Sequence, residues 1–177
     1  MSWRLDPQTT GLVIIDLQEK LVPVLREPQR LIEKARTFIE VAKIFSLPIF
    51  FTEQIPEKLG RTIAPIREAL PNFIKPLSKT EFSAVNCLPA QLPKVLILMG
   101  CETHVCVRQS AYDLRAKGKT VYLLADAISS RHNLDHQMAI HEMQQDKILV
   151  STVETMSWEL VREAGTDIFR KVLSILK

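Results

Sequence analysis

A cysteine beside the start of a helix can act as a nucleophile, and Cys106 stands in such a place. It lies in Gly100-Cys-Glu-Thr-His-Val-Cys106-Val107, directly after the apolar run Lys94-Val-Leu-Ile-Leu-Met99. Thr103 is a candidate N-cap, which puts Cys106 in the first helical turn. Helix N-termini favour anions, so a thiolate there is stabilised. The N–H groups of such a turn can also hold a developing oxyanion. The alternative is a buried, inert cysteine, the commoner fate of this residue. A second candidate, Asp16, ends the run Gly11-Leu-Val-Ile-Ile. A carboxylate in that position is expensive to bury without a partner. It is either a turn or cap residue or a group held for use. Gln18, two residues on, adds a neutral hydrogen-bonding group on the same side of the chain. Lys79, in Leu77-Ser-Lys-Thr-Glu-Phe82, reads equally as a solvated loop lysine; only its company gives it a role.

Other chemistries fit less well. Cys101, His104 and Cys106 follow no standard zinc spacing. His132 and His136 stand one helical turn apart, with His141 beyond, but the glutamate of a zincin motif is missing. A Cys101–Cys106 redox pair lacks the usual two-residue spacing. Glycines are few, and no phosphate-binding fingerprint follows the first apolar run. Neither a metal nor a nucleotide cofactor is expected.

The elements that must position these groups alternate. Gly11–Asp16 reads as a buried strand, β-branched and continuous. Leu31, Ala35, Phe38, Ala42 and Phe45 recur at helical spacing and form one apolar stripe. Pro48–Thr52 is a second strand. Residues 54–71 hold Gly60 and three prolines, so loop or broken helix is expected. Phe73-Ile74 begins a short third strand. Lys94–Met99 is the clearest strand, and a helix over Thr103–Ala116 follows, stopped by Gly118. Thr120–Leu124 and Ile148–Ser151 are strands, with Leu134–Gln145 helical between them. Thr155–Ala164 and Thr166–Leu176 close the chain as helices. Such alternation builds parallel βαβ units with helices on both sheet faces. Ligands then bind beyond the carboxyl ends of the strands, where the strand order switches.

The 177 residues fit one domain, spanning 1–177. A net charge of +3 with scattered Lys and Arg points away from nucleic acid and membrane surfaces. Three cysteines, Cys87, Cys101 and Cys106, form no disulfide framework and suit a reducing compartment. Met1–Thr10 lacks a signal-peptide pattern, and no apolar run approaches a membrane span. A soluble cytoplasmic protein is expected.

These residues resemble the isochorismatase-like cysteine hydrolases. The resemblance rests on Leu12-Val-Ile-Ile-Asp16-Leu-Gln18, on Lys79-Thr-Glu-Phe82-Ser83 and on Gly100-Cys-Glu-Thr-His-Val-Cys106-Val-Arg-Gln-Ser-Ala111, in the same order and spacing. Ala125-Asp-Ala127 agrees as well. The resemblance implies a three-layer α/β/α, Rossmann-like fold with a six-stranded parallel sheet. It implies a triad in which Cys106 attacks, Asp16 takes its proton and Lys79 bridges the two electrostatically. It also implies an oxyanion site made by the backbone N–H groups of Glu102 and Cys106, and a cis peptide between Cys101 and Glu102. Nicotinamidase-like members carry an Asp-x-His metal motif after the second strand. Here that place reads Thr52-Glu53-Gln54-Ile55-Pro56, without histidine, which is closer to the isochorismatase-domain subgroup. Gln18, Gln54 and Phe82 are placed beside the substrate pocket. A homo-oligomer, a dimer or larger, is expected.

Two functions follow. One is hydrolysis of a small amide or related C–N bond through a thioester, with vinyl-ether hydrolysis as a variant. The other is a non-catalytic binding or scaffold protein that retains the fold, in which Cys106 and Cys87 would be alkylated equally slowly. A poised Cys106 is expected to label much faster.

Overall fold

The computed structural model describes residues 4–177; within Met1–Thr10, Met1 to Trp3 lie outside the described residues. Six strands form one parallel sheet: β1 (Thr10–Ile15), β2 (Ile49–Gln54), β3 (Leu77–Lys79), β4 (Val95–Cys101), β5 (Thr120–Ser129) and β6 (Leu149–Ser151). Their order is β3-β2-β1-β4-β5-β6. The chain runs outward from β1 to β3, then returns to β4 on the other side of β1. The switch point therefore lies between the ends of β1 and β4, the crevice where such sheets bind ligands.

Among the described residues seven α-helices accompany the sheet: α1 (Pro28–Ile44), α2 (Pro56–Leu59), α3 (Ala64–Ala69), α4 (Arg108–Ala116), α5 (Asn133–Gln145), α6 (Val153–Val161) and α7 (Asp167–Leu176), the last two following β6. Strand residues alternate between the sheet's two faces. Leu12 and Ile14 of β1, with Ile97 and Met99 of β4, pack on α1 and α6, whereas Val13, Ile15, Leu96 and Leu98 pack on α4 and α5. With both faces covered, β1 is buried along its whole length, which is why its sequence is continuously apolar. The predicted α1 stripe is the buried face of that helix, and Phe38 at its centre is fully enclosed.

Three expectations shift. The third strand is Leu77–Lys79, not Phe73-Ile74, and Phe73 is 82% exposed. The later segment wins because it has a partner: Leu77, Ser78 and Lys79 lie in register with Thr52, Glu53 and Gln54 of β2. β5 continues to Ser129, past an irregularity in its pairing with β4. The helix after β4 starts as a π-helical turn, Thr103–Val107, and becomes α-helical only at Arg108. Its N-cap is Glu102, without a side-chain cap bond, and Thr103 Oγ1 instead meets His136 Nδ1 at 3.0 Å.

Gly100 makes the β1–β4 seam possible. Its φ is +123°, and a Cβ there would sit 2.0 Å from the Ile15 carbonyl oxygen. Backbone cannot move aside as a side chain can. Gly100→Ala is expected to cost about 3 kcal/mol or more in urea unfolding. A loss under about 1 kcal/mol would show that the seam relaxes freely.

Candidate active site

Asp16 is the first residue past β1, and its backbone turns sharply, with φ +52°. Aspartate tolerates this region better than most residues. Two donors fix the turn: Gln18 N–H gives a bond to the Asp16 carbonyl at 2.8 Å, and the Cys101 thiol gives another at 3.0 Å. The turn swings the carboxylate inward, where it is fully buried. Thr52 Oγ1 donates to Oδ1 at 2.7 Å, and Lys79 Nζ stands 2.7 Å from Oδ2. No donor with good hydrogen-bond geometry saturates Oδ2.

Lys79 ends β3 and is nearly as buried as its partner. Its ammonium also donates to Gln54 Oε1 at 2.5 Å and to the carbonyls of Glu81 and Phe82 at 3.2 and 3.0 Å. Cys106 lies in the π-helical turn beyond β4 and is 7% exposed. Its carbonyl accepts from Ser110 Oγ at 2.6 Å, and that oxygen in turn accepts from Ala84 N–H at 2.8 Å. The thiol is near enough to Asp16 and Lys79 for both to act on its ionisation. The three groups proposed from sequence thus converge at the switch point.

The thiol is protonated at rest. Burial does most to push it up to about 12, the Asp16 carboxylate adds to the rise, and Lys79 opposes it. The expectation of a thiolate held by a helix N-terminus is corrected here. Desolvation outweighs Lys79, and Asp16 occupies the place where a free positive field would be needed. Cys101 and Cys87 are raised as well, each mainly by burial.

The pocket residues fall differently. Gln18 is 0% exposed and fully engaged: Nε2 donates to the carbonyls of Gln54 and Gly60, and Oε1 accepts from Gln54 N–H. Gln54 links Lys79 to the Thr80 carbonyl. Both amides brace the ion pair from behind instead of facing a ligand. The Phe82 ring is 53% exposed, and it is the Phe82 carbonyl that serves the site, as an acceptor for Lys79. A cavity of about 380 Å³ opens beside Lys79, walled by Ile55, Pro56, Thr80, Ser83 and Cys87 among others. The Cys101–Glu102 peptide is cis, as the resemblance implies. Glu102 turns its carboxylate away to accept from Arg131 N–H and Nε.

Sequence reasoning missed Thr52. The signal was available, since Phe50, Thr52 and Gln54 alternate along β2 and therefore share one face. It also missed the Cys101 thiol as a brace for Asp16. The histidines do not gather: His104 meets Ser130, His136 meets Thr103, and His141 meets Gln145. Among the described residues no three His, Cys, Asp or Glu side chains are placed to hold a metal, and Glu53 directs its carboxylate to Thr62.

Residues 10–155 match the Isochorismatase domain family. The chain is 34% identical to isochorismatase domain-containing protein 2A of Mus musculus, over 98% of this chain and 85% of that protein. It is also 34% identical to isochorismatase domain-containing protein 1 of Salmo salar, over 97% of this chain but only 62% of that longer protein. Among solved structures, the MAR1 ribonuclease of Caenorhabditis elegans superposes with a TM-score of 0.92 at 33% identity, over 98% of this chain and 92% of that one. The YcaC gene product of Escherichia coli, described as an octameric hydrolase of unknown specificity, gives 0.90 at 22% identity, over 99% and 90% of the two chains, a likeness of fold. Sheet order, crevice and sequence together define an isochorismatase-like hydrolase. The chain belongs to the isochorismatase family.

The resting thiol sets a test. Iodoacetamide labelling of Cys106, read by peptide mass spectrometry, should rise about tenfold per pH unit from pH 7 to 10, without a plateau. Lys79→Met should slow labelling at fixed pH. A plateau below pH 8 would mean a thiolate ground state.

Proposed function

We propose that this chain, acting as one domain, hydrolyses a small amide or a related C–N bond through a thioester on Cys106. The observation that carries the reading is the buried Asp16–Lys79 pair within reach of the Cys106 thiol. The thiol proton passes to Asp16 Oδ2 as sulfur attacks the carbonyl carbon. The oxyanion that forms is held by the backbone N–H groups of Glu102 and Cys106. Collapse breaks the C–N bond, and the amine leaves with the proton from Asp16. Asp16 then deprotonates water, which attacks the thioester, and the acid and the free thiol are released. Lys79 stays positive throughout. A scaffold has no use for a buried charge pair beside a thiol, because such a pair contributes little to stability. Vinyl-ether hydrolysis would use the same base without a thioester.

The ribonuclease name of the nematode relative supports a second reading, RNA cleavage at this crevice. The cavity mouth carries Glu57 and Glu81, which repel a polyanion, so the amide reading is preferred. The octameric fold neighbour supports assembly as a homo-oligomer. Three free thiols suit a reducing, cytoplasmic setting. No helix among the described residues is long and apolar enough to cross a membrane.

An amide-substrate screen with mass spectrometry of quenched reactions should trap an acyl adduct on Cys106. Cys106→Ala should abolish turnover with the fold intact, while Cys101→Ala and Cys87→Ala keep most activity. Asp16→Asn and Lys79→Met should each slow acylation by roughly two to four powers of ten, and far from additively. Wild-type turnover in Cys106→Ala would overturn the mechanism, and RNA degradation without any acyl adduct would favour the second reading.

The donor set also predicts metal independence. Turnover should survive dialysis against EDTA, and nicotinamide should be a poor substrate. Activity lost on chelation and restored by one metal per chain would refute this.

A further inference from the structure

Among the described residues the cavity wall carries one cation, Lys79, and that cation is saturated. An ammonium has three N–H donors. Lys79 Nζ already faces four acceptors: Asp16 Oδ2 at 2.7 Å, Gln54 Oε1 at 2.5 Å, and the carbonyls of Glu81 and Phe82 at 3.2 and 3.0 Å. No donor is left for a substrate carboxylate, and the charge is cancelled by Asp16.

The other charged side chains on the wall are Glu57 and Glu81, both exposed at the mouth. Neither stands in an ion pair among the described residues. Glu81 Oε2 accepts from Asn86 Nδ2 at 2.7 Å, which fixes the carboxylate without neutralising it. The remaining wall is neutral, with Ile55 and Pro56 apolar and Ser78, Thr80 and Ser83 offering hydroxyls. A partly enclosed cleft lined by one sign of charge concentrates ligands of the opposite sign.

We propose that the substrate of this site is a small amide whose far end is cationic, an ammonium or guanidinium seated between Glu57 and Glu81, and that carboxylate-bearing amides are rejected. This rests on Cys106 as the nucleophile and adds the charge class of what it attacks. The same wall disfavours vinyl ethers of the isochorismate type, which carry carboxylates.

The test reads the field of the cavity separately from turnover. Cys106 and Cys87 are alkylated with iodoacetate, iodoacetamide and (2-bromoethyl)trimethylammonium at pH 9, with each rate divided by that for 2-mercaptoethanol. Cys87 reports because it lies on the cavity wall, and Cys106 reports as the proposed nucleophile beside Lys79. The corrected rates should rank cation, neutral, anion, with about a tenfold gap between the outer two at low salt. Half-molar salt should narrow the gap, and the Glu57→Gln, Glu81→Gln double variant, altered only at exposed positions, should largely remove it. In parallel, 4-aminobutanamide, butanamide and succinamate are compared by acyl-adduct formation and kcat/KM, with the first expected to lead by the same margin. Equal or faster reaction of iodoacetate at both thiols, or no alkylation of either within a day, would overturn the proposal. If the alkylation ranking holds but no amide acylates Cys106, the charge of the cavity stands and the amidase reading falls. If succinamate is the best substrate, the amidase reading stands and the charge assignment falls.

Discussion

The buried contact between Asp16 and Lys79 is the constraint around which the rest of the molecule is arranged. At 2.7 Å and an effective dielectric near 20, two unit charges attract by about 6 kcal/mol. Removing both from water costs several kcal/mol per ion, so the pair contributes little to net stability. Its value is positional. The carboxylate hangs from the end of β1 and the ammonium from the end of β3, and β2 lies between them. Thr52 and Gln54, on one face of β2, hold one partner each. A one-residue slip of β2 would turn both to the wrong face. The β1–β2 and β2–β3 registers therefore set the distance between the charges.

The proposed nucleophile arrives from the other side of β1, and a separate device brings it in. Gly100 lets the end of β4 press against Ile15, closer than any side chain would allow. The next residue, Cys101, uses its thiol to hold the Asp16 carbonyl, so the strand that delivers Cys106 also fixes the turn that aims the base. Beyond Glu102 the chain winds as a π-helical turn, and Ser110 ties the Cys106 carbonyl to Ala84, three residues from Glu81 at the start of the Lys79-supporting loop. Three strand ends and their loops thus form one hydrogen-bonded unit, and displacing any of them disturbs the other two.

The alternation of strands and helices was legible because buried parallel strands are short continuous apolar runs and the helices between them carry stripes. The positions of Asp16 and Cys106 followed from the same logic, since both come directly after such runs. β3 was misplaced because it is three residues long with a polar residue at its centre. Its identity depends on pairing with β2, which no local pattern records. The hydrogen-bond partners of Gln18 and Gln54 were not legible, because the target of an amide side chain is set by tertiary contact. Phe82 shows the same limit from the other side, where the backbone matters and the ring faces solvent. The thiol's protonation state was misread for a physical reason: sequence shows the helix start but not the burial that outweighs it.

That protonation state gives a lysine a reason to accompany the proposed base. At neutral pH, ionising a thiol of pKa about 12 into solvent costs about 1.4 kcal/mol for each unit above ambient pH, too much for a useful resting population. In the proposed chemistry, transfer to Asp16 avoids this cost only if the charges left behind are compensated. Before transfer, Lys79 pairs with the Asp16 carboxylate and the thiol is neutral. After transfer, Asp16 is neutral and Lys79 pairs with the thiolate. The three groups sum to zero in both states, so the buried crevice never holds an uncompensated charge. The ammonium has only to keep its place while the negative charge moves past it, and its anchors on Gln54, Glu81 and Phe82 serve that end. A fixed cation between a movable proton's donor and acceptor is thus what makes a desolvated thiol usable as a nucleophile in the proposed chemistry. It also accounts for a cavity in which Lys79, the one cation among the described residues of its wall, has no donor left for an anionic ligand.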